Sequence, residues 1–131
     1  MTRNEYIQYK SGRAKKSLQI SGNLLRDGFY GDAINRIYYA VYYAVSALLY
    51  IHKLYPKTYR GMKSLFNKEF IQTGLIDKTY GDFYSHIFAK RFEADYEDFF
   101  QIDVARTEEY YNEAKKLIEI IEDILNNTTN D

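Results

Sequence analysis

The sequence contains no cysteine, no tryptophan, one proline and two histidines, and its 18 Lys and Arg balance 18 Asp and Glu over 131 residues. Without cysteine there is neither a disulfide nor a thiolate metal site. Two histidines without a His-Glu-x-x-His element leave a zinc hydrolase short of ligands. Neither His52 nor His86 has a glutamate three residues before it, so the Glu-x-x-His pairs of a di-iron bundle are missing as well. No GxGxxG or GxxxxGK[ST] occurs, which removes the glycine-rich loops that cradle nucleotide phosphates. No cofactor is expected. The sequence shows no signal peptide, and its most apolar stretch is too short and too rich in tyrosine hydroxyls for a membrane span, so a cytoplasmic protein is expected.

What is present is aromatic: fifteen tyrosines and eight phenylalanines. Aromatic residues at 18% and charged residues at 27% exclude a disordered chain, and the length suits a single domain spanning residues 1–131. The zero net charge is a cancellation. Residues 1–26 carry +5, residues 27–92 carry +4 and residues 93–131 carry −9. Two readings of this dipole stand: solvated helix faces with complementarity between helices, or a cationic surface that meets RNA or another polyanion.

Apolar residues recur at helical spacing throughout, and nothing reads as a strand or hairpin. A first helix is predicted over residues 3–26, ended by Asp27-Gly28. A second, over residues 30–52, is apolar nearly all round and therefore central, with Asp32 as its cap or as an acid in its first turn. Ala33, Ala40, Ala44 and Ala47 form a small-residue stripe on it, while Asn35, Tyr39, Tyr42 and Ser46 form a polar-aromatic stripe opposite. Tyrosine suits places with one greasy and one wet side, so Tyr39, Tyr42 and Ser46 are expected at a subunit interface. A third helix is predicted over residues 60–72, and a fourth from Asp77 to about Arg91. Residues 92–102 lack a helical stripe and read as a loop or broken helix, and a long last helix opened by Asp103 gives way to a polar tail from Asn126. The architecture expected is all-α, an antiparallel bundle of four or five helices.

The remaining cluster of chemistry is Lys90-Arg91-Phe92-Glu93-Ala94-Asp95-Tyr96, where basic and acidic parts meet. Arg91 can bind phosphate there or pair with Glu93 or Asp95. The second helix, Ala33-Ile34-Asn35-Arg36-Ile37-Tyr38-Tyr39-Ala40-Val41-Tyr42-Tyr43-Ala44, preceded by Gly28-Phe29-Tyr30, resembles the signature of the HEPN family. The resemblance continues through Arg60-Gly61 and Arg91-x-x-Ala94-Asp95-Tyr96, covering about residues 8–125. It implies a helical bundle that dimerises through its central helices. It also implies either a metal-independent ribonuclease with an R-x(4–6)-H motif or a partner of a minimal nucleotidyltransferase in a toxin–antitoxin or stress-defence pair.

Arg91 matches the motif arginine, but Tyr96 stands at the motif histidine, and Tyr59 stands where relatives often carry histidine. A phenol titrates near pH ~10 in model peptides and is a poor general base at neutral pH, unlike imidazole. The residues expected to bind nucleotide or RNA are Arg91, Asp95, Asn35 and Arg36, with Arg91 and Tyr96 as the catalytic pair if RNA is cleaved. Tyr96 is also a candidate acceptor of a nucleotidyl group from the partner. Three readings follow: a HEPN-type nucleotide- or RNA-binding homodimer working with a nucleotidyltransferase, an endoribonuclease using Arg91 and Tyr96, or a catalytically silent interaction module whose Arg91 cluster is an internal ion-pair network.

Overall fold

A computed structural model of the chain describes residues 1–96 and 101–128. Five α-helices run in the order α1 (Arg3–Arg26), α2 (Tyr30–Ile51), α3 (Tyr59–Phe66), α4 (Lys78–Ala94) and α5 (Val104–Thr128), and no strand occurs among the described residues. The architecture is all-α, as the periodicity predicts.

Each early boundary has a local cause. Thr2 caps α1, its hydroxyl accepting from the Glu5 N–H, and Gly28 (φ 86°) ends it. The Phe29 N–H donates to the Leu24 carbonyl at 2.8 Å and the Gly28 N–H to Leu25 at 3.1 Å, the paired closure of a Schellman motif. The same pair closes α2, Leu54 N–H to Leu49 carbonyl and Lys53 N–H to Tyr50 carbonyl, but here Lys53 takes the left-handed position at φ 57°. Asp32 lies in the first turn of α2 and does not cap it.

Three boundaries differ from the periodicity. The third helix ends at Phe66 and passes into a π-helical turn, Asn67–Ile71. That wider turn sends Phe66 and Phe70 into the core together, their rings stacked at 6.2 Å. α4 continues to Ala94, its last turn held by the buried Ala94 methyl and a Lys90–Glu93 pair at 2.8 Å. Of the stretch read as a loop or broken helix, residues 92–94 are therefore helical and residues 97–100 lie outside the described residues. α5 runs on to Thr128, whose hydroxyl donates to the Ile124 carbonyl at 2.7 Å; residues 129–131 of the expected tail lie outside the description.

α2 is the axis of the bundle. Ile37, Ala40, Val41, Val45, Ala47, Leu48 and Leu49 are all fully buried, as helices α1, α4 and α5 pack around it. The alanine stripe lies inside, where small side chains allow close approach. α1 runs antiparallel to α2, and Arg3 donates to the Ile51 carbonyl at 2.7 Å, satisfying the far end of its neighbour. α5 closes on both: Tyr111 packs against Gly22 of α1, where an added Cβ would come within 3.2 Å of the phenol oxygen. Each core leucine or isoleucine is worth about 2–5 kcal/mol against truncation to alanine.

Candidate functional site

Three elements converge on Arg91, on the last turns of α4. Its guanidinium carbon lies 4.4 Å from the ring centre of Phe92, 4.8 Å from Tyr38 of α2 and 5.0 Å from Tyr59 at the start of α3. Each such contact is worth about 0.5–2 kcal/mol, more as the site dries. The rings fix the guanidinium without using its hydrogen bonds. Its Nε is buried with no hydrogen-bond partner, and Arg91 forms no ion pair among the described residues. Glu93, the acid two positions on, is engaged by Lys90 instead. The alternative of an Arg91–Glu93 or Arg91–Asp95 pair is not what the described residues form.

The rings around Arg91 belong to a larger tyrosine cluster. Tyr59 meets Tyr38, Tyr39 and Tyr42 edge-to-face, with ring centres at 6.0, 6.4 and 5.3 Å. Tyr38 is completely buried, and burial pushes its phenol well above the ordinary range although Arg91 opposes the shift. Tyr59 is raised chiefly through its bond to the Tyr39 hydroxyl, and the deeply buried Tyr84 of α4 is raised by desolvation. The phenols thus stay neutral at physiological pH, and the Tyr38 and Tyr84 hydroxyls have no hydrogen-bond partner among the described residues. That arrangement presents one fixed positive charge that no carboxylate among the described residues pairs. It brings no histidine to the cluster: His52 packs edge-on against Phe70 at the end of α2, and His86 is exposed on α4.

Outside the Arg91 box the same face stays cationic and aromatic. Lys10 lies over Tyr6 and Tyr43, both at 5.3 Å, and Arg13 over Tyr43 at 5.3 Å with a 3.3 Å hydrogen bond to its hydroxyl. Arg36 covers Tyr39 at 5.2 Å and Lys63 covers Phe88 at 4.9 Å. Among the described residues one ion pair joins different helices, Lys15 to Glu122 at 2.8 Å, and few cations of the basic half of the charge dipole are paired with an acid there.

The structure distributes the sequence-predicted residues as follows. Arg91 is at the centre. Arg36 reaches the cluster through Tyr39, while Asn35 is half-buried on α2 and has no described contact with it. Asp95 is the exposed C-cap of α4, and Tyr96 follows it with 60% of its surface exposed. No hydrogen bond among the described residues joins Arg91, Asp95 and Tyr96. Tyr39 and Tyr42 are half-buried within the tyrosine cluster, and Ser46 is buried beside Tyr6 of α1, 3.5 Å from its hydroxyl. Tyr38 and Phe92 belong to the site although sequence reasoning does not single them out, and Tyr59, noted only as standing where relatives often carry histidine, joins them. The available signal was Tyr38-Tyr39 and Tyr42-Tyr43, two aromatic pairs one helical turn apart, which put rings on two adjacent faces of α2.

A family model described as the HEPN domain matches residues 8–127. A Thermotoga maritima relative named a UPF0332 protein is 32% identical over 94% of this chain and 93% of its own length. Two Methanocaldococcus jannaschii relatives are named as candidate toxins. One is 39% identical over 65% of this chain and 58% of its own length. The other is 33% identical over 70% of this chain and 69% of its own. With the matched region running from the first turns of α1 to the end of α5, the chain belongs to the HEPN family.

Proposed function

We propose that this protein is a HEPN-type subunit that binds a nucleotide or RNA phosphate at Arg91, homodimeric, and paired with a minimal nucleotidyltransferase in a toxin–antitoxin or stress-defence system. The observation that carries the reading is the ring-clamped guanidinium, with a buried unpartnered Nε and no carboxylate partner among the described residues. A cation left unpaired inside neutral phenols is matched by an external anion, and the surrounding Lys10, Arg13, Arg36 and Lys63 extend that field over a polyanion. Aromatic rings interleaved with cations are the surface single-stranded nucleic acid uses for stacking and charge. The relatives named as candidate toxins support the toxin-like role.

The partner part of the proposal rests on Tyr96. Its exposed hydroxyl beyond the C-cap of α4 is reachable by a second protein. In the modification the phenol oxygen attacks the α-phosphorus of a nucleoside triphosphate, pyrophosphate leaves and the phenol proton passes to solvent. Binding is favoured over RNA cleavage because the phenols beside Arg91 are held protonated and no histidine joins them.

The test is anisotropy of a labelled single-stranded RNA across a salt series. Arg91→Met keeps an apolar stem between the rings and removes the charge. It is expected to weaken binding by about tenfold or more and to lower the log–log salt slope by about one phosphate contact. Unchanged affinity and slope refute Arg91 as the phosphate ligand. Cleavage of the RNA in chelator, lost in both Arg91→Ala and Tyr96→Phe, would replace this reading with the endoribonuclease one.

A further inference from the structure

Tyr59 has two sides. One faces the Arg91 guanidinium at 5.0 Å. The other walls a groove of about 390 Å³ between α2 and the segment entering α3, lined by Tyr42, Pro56, Lys57, Thr58 and Tyr59. The volume falls in the range of small-ligand pockets, about 300–1,000 Å³. Its chemistry is selective: two tyrosine rings set edge-to-face at 5.3 Å, a proline ring, a hydroxyl and one charge, a lysine. No carboxylate among the described residues lines it, so a cationic ligand finds no counter-charge among them, while a flat, polar-edged ring beside an anion finds a stacking surface and hydrogen-bond donors. The wall is firm. The Thr58 hydroxyl accepts the Gly61 N–H at 2.9 Å, and Gly61 sits so close that an added Cβ would lie 3.0 Å from that oxygen. Tyr59 is 39% exposed although its inner edge meets three other tyrosines, so the ring is anchored on one side and open on the other.

We infer that this groove is a base subsite: it takes the unpaired base of a nucleotide whose phosphate is held by Arg91, with the Tyr59 ring as the platform between the two. The inference rests on the phosphate reading of Arg91 and adds the base, the stacking residue and the requirement that the base be unpaired. A paired base keeps both faces covered by its neighbours and cannot enter, whereas an extruded or single-stranded base can.

The experiment titrates ¹⁵N-labelled protein with adenosine monophosphate, ribose 5-phosphate and inorganic phosphate, following amide shifts. Adenosine monophosphate is expected to bind about five- to tenfold more tightly than ribose 5-phosphate, as one stacked base adds. Its additional shifts should fall on Lys57, Thr58 and Tyr59. Tyr59→Leu should erase the ratio between the affinities of the two ligands, and because Tyr59 also packs against Arg91 it should weaken ribose 5-phosphate as well, while Tyr59→Phe, which keeps the ring, should preserve both the ratio and the ribose 5-phosphate affinity. Equal affinities for the two ligands in the unaltered protein overturn the base subsite and leave the phosphate reading intact. Loss of the difference in Tyr59→Phe overturns stacking as its source. Absence of any shift with all three ligands fails the phosphate reading itself, and the base subsite with it.

Discussion

Replacing Tyr84 by phenylalanine should stabilise this protein, the reverse of the usual result for a buried tyrosine. Tyr84 is completely buried on α4, its ring 5.4 Å from Phe66, and its hydroxyl has no hydrogen-bond partner among the described residues. A buried hydroxyl that makes its bond contributes about 1 kcal/mol, and removing it loses that amount. A hydroxyl without a partner has given up its water for nothing, at a cost of about 1–3 kcal/mol. Phenylalanine keeps the ring and its contacts and deletes only the oxygen, so the cavity left is smaller than a methyl group. The expected gain is about 1 kcal/mol, or a rise in Tm of about 3–5 °C for a domain of this size. Urea unfolding followed by far-UV circular dichroism measures it, and the denaturant slope should not change, because the surface exposed on unfolding is the same. A loss of about 1 kcal/mol at unchanged slope refutes the reasoning, since the oxygen must then be bonded, to an ordered water or to the neighbouring Tyr38 hydroxyl.

Two further outcomes follow from the same kind of accounting. Tyr38 and Tyr84 ionise far less readily in the folded protein than in the unfolded chain, so their contribution is whole below pH ~10 and is lost as pH rises through that of the unfolded phenol. Stability should therefore fall above pH ~10 by up to about 1.4 kcal/mol per pH unit for each phenol, and Tyr38→Phe with Tyr84→Phe should flatten that alkaline limb; an unaltered limb assigns it to other groups. Lys53 occupies the left-handed position that closes α2, at φ 57°, where a side chain costs about 1 kcal/mol. Lys53→Gly should raise stability by about 0.5–1 kcal/mol in chemical denaturation, and a decrease would mean that the lysine side chain makes a compensating contact.

The helices were legible where a residue's own chemistry sets them. Asp77, the predicted start of the fourth helix, caps α4, accepting from the Thr79 N–H at 3.0 Å and from its hydroxyl at 2.7 Å. Gly28 stops α1 because it alone there accepts a positive φ without cost. Thr107 fills a place in the apolar stripe of α5, and it is buried with its hydroxyl bonded to the Asp103 carbonyl at 2.8 Å. The π-helical turn at residues 67–71 was not legible, because it answers to where α4 crosses: Gly81 of α4 lies against Asn67 and Ile71, within 3.2 Å of where a Cβ would stand. The site divides along the same line. Arg91 can be picked from its place among acids and aromatics, but that Tyr38 and Tyr59 enclose it depends on three helices meeting. A helical wheel orders faces on one helix without saying which faces meet. Ser46 shows the limit well, since its stripe reads as outward-facing and α1 covers it.

The central position of α2 also has a consequence for how the protein is made. Its apolar surface is covered in part by α5, whose residues leave the ribosome after those of α1 and α2. At ordinary translation rates roughly 4–15 s separate completion of α2 from that of α5. Through that interval a nascent hairpin of α1 and α2 carries uncovered Leu, Ile and Val side chains, and it must be shielded by a chaperone or by loose collapse onto its own tyrosines. The core around α2 is therefore complete only once the acidic α5 is in place.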